Sequence, residues 1–148
     1  MSAPNLIQEL SNSWGWVGLE PAEVIGENDF GNLMIKDTSG KYWRLCPEEC
    51  SCRIVAEARD ELDALAQEQE FLEDWLMLSL VEVAKAMLGP LRPGYKYAFV
   101  IAPVLGGKYE SANMQIAPLY EVVRLSGEIG KQIQDLPDES QVCLKVVD

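Results

Sequence analysis

The chain has 148 residues with 24 acidic side chains against 12 basic ones, a net charge of −12, and no histidine. So negative a balance argues against binding nucleic acid or an anionic membrane surface, since both recruit Lys and Arg. The lack of histidine removes the commonest general base, the common nucleophile triads and the commonest metal ligand.

A composition that is 48% hydrophobic and 24% charged reads as one folded domain over residues 1–148. No apolar run reaches the length of a membrane span, and Met1 to Leu10 lacks the basic-then-apolar pattern of a secretory signal. A cytoplasmic protein is therefore expected.

In chain order, Asn5 to Asn12 predicts a short helix, followed by Trp14-Gly15-Trp16 in loop-like sequence. From Val24 the pattern turns to strands. Asn32–Lys36 and Lys41–Leu45 flank Asp37-Thr38-Ser39-Gly40, a hairpin turn with glycine where positive φ is needed. A strand over Ser51–Ala56 would complete a three-stranded meander.

Helical periodicity begins near Asp60, with Leu62, Leu65 and Ala66 on one face and Asp60, Glu61, Glu68 and Glu70 pointing away. Phe71 to Leu88 leaves only a narrow polar strip at Asp74, Glu82 and Lys85, which predicts one largely buried helix at the centre of the core. Gly89-Pro90 and Pro93-Gly94 end it. Tyr97–Ile101, a nearly continuous apolar run, reads as a central strand covered on both faces.

Pro118 suits the first turn of a helix running to about Gln134. Its apolar face carries Leu119, Val122, Val123, Ile129 and Ile133 together with the small residues Ser126 and Gly130, which would let another backbone come close. Val142–Val147 is expected to form a last strand. The resulting fold class is α+β, with mixed α/β as the alternative: an antiparallel meander, a buried central helix and an amphipathic C-terminal helix packed on the sheet.

Few patterns carry chemistry. Cys46, Cys50 and Cys52 fall within seven residues, but their spacing is wrong for paired zinc knuckles and Cys-x-x-Cys is absent. Reduced thiols filling small positions, with no metal and no cofactor, are the simpler reading. Leu105-Gly106-Gly107-Lys108 lacks the full phosphate-loop pattern, so it reads as a tight turn.

Charge is more informative. Between Pro47 and Trp75 lie ten acidic residues opposed only by Arg53 and Arg59, so this stretch carries −8 of the −12. Such a concentration steers a basic partner. Glu48, Glu49, Glu57, Asp60, Glu61 and Asp63 are the candidate partner-binding carboxylates, with Tyr109 as a candidate aromatic anchor. Trp14 and Trp16 could serve likewise, although burial is the more natural fate of both, as it is for Trp43 and Trp75.

Several segments, taken in order, resemble a known family. Phe30-Gly31-Asn32-Leu33 and Gly40-Lys41-Tyr42-Trp43-Arg44-Leu45 resemble its opening hairpin. Leu88-Gly89-Pro90-Leu91-Arg92-Pro93-Gly94 leads into Tyr97-Ala98-Phe99 in the same way. Pro103 to Tyr109, Asn113 and the closing segment Gln132 to Pro137 complete the series. The family is the domain of unknown function that forms the C-terminal part of type VI secretion immunity proteins against DNase toxins, and the likeness runs from about Val24 to the C-terminus.

The resemblance implies a bacterial cytoplasmic protein that binds a cognate toxin and blocks its active site, with no catalysis of its own. A toxin acting on nucleic acid would present a basic cleft. Two other readings stand beside this one: a general interaction or scaffolding module without a toxin partner, and an enzyme working through carboxylates.

Overall fold

The computed structural model describes residues 5–134, and it is an α+β fold. Asn5 caps the first helix, α1 (Leu6–Trp14), by accepting a hydrogen bond from the Gln8 amide at 3.2 Å. Four strands follow: β1 (Pro21–Glu27), β2 (Leu33–Asp37), β3 (Tyr42–Cys46) and β4 (Ser51–Ala56). They form an antiparallel sheet in sequential order.

The meander thus has a fourth strand that the sequence did not announce. Two register shifts within β1, between Pro21 and Glu23 and between Val24 and Gly26, break the two-residue alternation by which a strand is recognised.

The β2–β3 hairpin forms as expected, with Leu33 opposite Leu45 and Ile35 opposite Trp43. Gly40 has φ 88°. The Asp37 carboxylate organises the turn by accepting from the Ser39 amide and hydroxyl, the Lys41 amide and the Trp43 indole, all within 3.0 Å.

Both faces of this sheet are covered. On one, Leu33, Ile35, Trp43, Leu45 and Cys52 pack with Leu10 and Trp14 of α1 and Val123 of the last helix. On the other, Met34, Tyr42 and Ala56 meet α2 (Arg59–Leu65) through Leu62, and α3 (Gln69–Leu76) through Phe71 and Trp75. Trp14 is fully buried and stacks on the half-buried Trp16, which donates to the Ser13 carbonyl. Trp75 is only half-buried, beneath the Arg44 guanidinium.

The single buried helix expected over Phe71–Leu88 does not exist. Met77, with φ 49°, ends α3 and starts α4 (Leu78–Leu88). Asn28 takes the Trp75 carbonyl at 2.7 Å, a group that an unbroken helix would bond to its own Ser79 amide. Nor do the two helices form the core's centre: Ala84 is their one buried residue, while Leu78 is 60% and Met87 63% exposed. The apolar pattern exceeds what the packed side of α4 can bury.

β5 (Tyr95–Phe99) and β6 (Met114–Pro118) make a separate two-stranded antiparallel sheet. The apolar run at Tyr97 is therefore not a central strand. Its inner end packs with Phe30, Ala84 and Met114, whereas Val100 and Ile101 lie beyond the strand and are exposed.

α5 (Leu119–Ile133) follows, with Pro118 at the cap position just before its first turn. It packs on the sheet and against α1 through Val123, Ser126, Gly127 and Gly130. A Cβ at Gly127 would collide with the Ser13 carbonyl, and one at Gly130 would meet the Cys50 carbonyl at 2.7 Å. The small residues thus set the closeness of this packing. The strand expected over Val142–Val147 lies outside the described residues.

Candidate partner-binding surface

After β3 the chain makes a short helical turn, Pro47–Glu49, closed by Cys50 in the left-handed region at φ 48°. The turn sends consecutive carboxylates opposite ways: Glu49 outward and Glu48 inward, only 9% exposed. Glu48 accepts from the Asn32 side-chain amide at 2.9 Å. Burial raises its pKa above the ordinary carboxylate value, and the Asn32 bond and the Arg44 charge offset this only in part. Glu48 is therefore an internal group, not the exposed contact residue expected from its place in the acidic run.

Asn32 continues the network. Its oxygen accepts from Arg44 Nη2 at 3.0 Å, and Arg44 pairs in turn with Asp74 at the end of α3. The guanidinium lies over the Trp75 ring, 5.3 Å from its centroid. The series Glu48, Asn32, Arg44 and Asp74 thus ties the helical turn, the sheet and α3 together beside the break at Met77.

Next to that network opens a cleft of about 400 Å³. Its charged lining is Glu48, Glu49, Glu73 and the paired Arg44 and Asp74, and Met77, Leu78, Leu80 and Tyr109 form its apolar wall. Tyr109 is 53% exposed and meets Phe99 edge-on, with ring centroids 5.2 Å apart. Its phenol pKa is raised, first by partial burial and then by the charges of Glu48, Glu49 and Asp74 among others.

Asn113 holds the loop that carries this tyrosine. Its amide donates to the carbonyls of Ile101 and Lys108 at 2.8 and 2.9 Å, and its oxygen accepts from the Ile101 amide at 2.9 Å. Gly106 takes φ 98°, so the Gly-Gly stretch is the turn expected from its sequence.

The other candidate carboxylates form a separate ridge. Glu57, Asp60, Glu61 and Asp63 are all exposed at the start of α2. Glu61 accepts from the Glu57 amide at 3.1 Å, Arg59 pairs with Asp63 at 3.0 Å, and Lys41 approaches Glu57 at 3.7 Å. Exposed pairs of this kind contribute little to stability, so the ridge is free to interact elsewhere. None of these four lines the cleft.

The structure thus divides the candidates three ways: Glu49 and Tyr109 exposed at the cleft, four carboxylates on the ridge, and Glu48 buried in the cleft's floor. Leu78 and the organising Arg44 were missed. An apolar period running through Met77 hides Leu78, and nothing in its neighbours sets Arg44 apart from any other strand arginine.

Cys46, Cys50 and Cys52 are free and buried, and burial, the leading cause in each case, pushes each thiol up to about 12. At neutral pH they are protonated, the form that does not attack electrophiles. Among the described residues no helix is long and apolar enough to cross a membrane.

Residues 56–130 match the model of the family described as "T6SS immunity protein Tdi1, C-terminal". The opening hairpin lies before the matched span. Among solved structures, the chain is similar in fold to that described as "Crystal structure of Atu4351 from Agrobacterium tumefaciens", with a TM-score of 0.54 and 16% identity. The likeness covers 83% of this chain and 62% of that one. No curated protein matches the chain.

Proposed function

The chain belongs to the family of type VI secretion immunity protein C-terminal domains, and from that premise we propose that it binds a cognate toxin in the producing cell's cytoplasm and occludes the toxin's active site. It acts by contact and not by catalysis. The toxin it fits has a basic cleft, as an enzyme acting on nucleic acid would.

The observation that carries this reading is the placement of charge. Four carboxylates, Glu57, Asp60, Glu61 and Asp63, stand exposed on one ridge, where Lys41 and Arg59 are the cations that pair with them among the described residues. Glu49 and Glu73 of the same acidic stretch border a cleft, which the Arg44–Asp74 pair also lines. Carboxylates so arranged can occupy the positions that phosphates take in a basic cleft, and their field speeds the encounter.

Reversing Glu57, Asp60, Glu61 and Asp63 together to lysine tests the reading. Affinity for the product of a toxin-like gene adjacent to this one, with its active site inactivated, should fall at least about tenfold and lose most of its salt dependence. Unchanged affinity would remove the ridge from the interface. A toxin that does not bind the wild-type chain at all would end the immunity reading.

A further inference from the structure

The bend at Met77 places apolar side chains where folding alone has no use for them. Leu72 and Leu76 of α3, and Leu78, Val83 and Met87 of α4, are all exposed. The bend also needs a non-glycine residue in the left-handed region, held there while Asn28 and Asn32 direct their amides to the Met77 sulfur at 3.4 and 3.8 Å. Backbone strain maintained by its surroundings, beside exposed leucines, is a pattern that marks binding surfaces.

The cleft opens at this bend, with Leu78 and Tyr109 standing beside Glu49 and Glu73; Arg44 also lines it, its charge offset by Asp74. Neither of those carboxylates forms an ion pair among the described residues, whereas Asp74 is already taken by Arg44. The span of α3 and α4 carries four acidic residues and one lysine, so its surroundings are negative as well. Apolar walls with a carboxylate rim complement a long cationic side chain: its stem packs on the walls and its head pairs at the rim.

We propose that the Leu76–Met77–Leu78 bend, with Tyr109, is the docking surface for the toxin, which seats an arginine or lysine flanked by apolar side chains in the cleft. This rests on the immunity reading and adds to it the apolar part of the contact, apart from the α2 ridge.

The test uses the inactivated product of a toxin-like gene adjacent to this one, with binding measured by calorimetry. Leu78→Ser and Tyr109→Ala should each weaken binding at least about tenfold, as buried apolar anchors do. Glu49→Lys should slow association. Leu125→Ser, an exposed change on α5 away from the cleft, should bind as wild type does.

Hydrogen exchange of the wild-type complex, which needs no variant to fold, should show protection at residues 76–80 and 107–110. If the toxin binds wild type but all three cleft variants bind within twofold and protection lies elsewhere, the docking surface is wrong and the immunity reading survives. If the toxin does not bind wild type, both fall.

Discussion

The side-chain amide of Asn28 donates to the carbonyl oxygen of Trp75 across 2.7 Å, joining two residues 47 positions apart. One bond thereby ends α3 and redirects the chain into α4. Its cost is a methionine held in the left-handed region, which amounts to about 1–2 kcal/mol for a residue with a Cβ.

Replacing Asn28 with alanine should be costly for this reason. The Trp75 carbonyl would lose its partner, and so would the amides of Phe30 and Asn32, which donate to the Asn28 oxygen at 3.0 and 2.9 Å. A loss of about 3 kcal/mol is expected in urea unfolding, with a smaller one for Asn28→Asp, which keeps the acceptor. A loss below about 1 kcal/mol would show that the bend does not depend on this amide.

Asp37 should make stability depend on acid. Burial by itself would raise its pKa, but the bonds from Trp43, Lys41 and Ser39 prevail and lower it. A carboxylate lowered on folding adds stability that is present above its unfolded pKa and disappears as pH falls through the folded one. Asp37→Ala should therefore cost about 2–4 kcal/mol at neutral pH, and the difference from wild type should shrink in acid. Chemical denaturation across the acid range measures both.

Glu48 predicts the opposite sign. Burial raises its folded pKa, so the native state holds the proton more tightly than the unfolded chain. Stability from this group declines as pH rises from the ordinary carboxylate range through the folded pKa. Glutamine keeps an acceptor for Asn32 without the charge. The melting temperature of Glu48→Gln should rise relative to wild type as pH increases from the ordinary carboxylate range through the raised folded pKa. A difference that stays flat over that range would contradict the internal placement of a charged Glu48.

Gly127→Ala should destabilise despite alanine's better helix propensity, which favours the variant by about 1 kcal/mol. The added methyl meets the Ser13 carbonyl and forces α1 and α5 apart. Overpacking of this kind costs about 1–3 kcal/mol, so thermal unfolding should show a lower midpoint. Gly15→Ala, which has open space around the new Cβ, is the comparison.

Much of this was legible in the residue order. The Asp37–Gly40 turn, the β2 and β3 strands beside it and the faces of α5 all follow from short-range chemistry, and each is as its residues predict. β1 was obscured because its bulges remove the period that reveals a strand. Of the proposed contact residues, Asp60 and Glu61 are exposed as their helical phase implies. The cleft could not be foreseen, because Tyr109, Glu49 and Glu73 come from three separate segments.

By itself the sequence determined the α+β class, the family resemblance and the concentration of negative charge from Glu48 to Asp74. These depend on composition and on neighbours a few positions apart. Only the tertiary structure decided that Phe71–Leu88 is two helices and that Glu48 points inward while Glu49 faces solvent. The physical reason is common to both. Asn28 and Asn32, distant in the chain, supply the hydrogen bonds that select these conformations, and local periodicity carries no record of a partner brought in by folding.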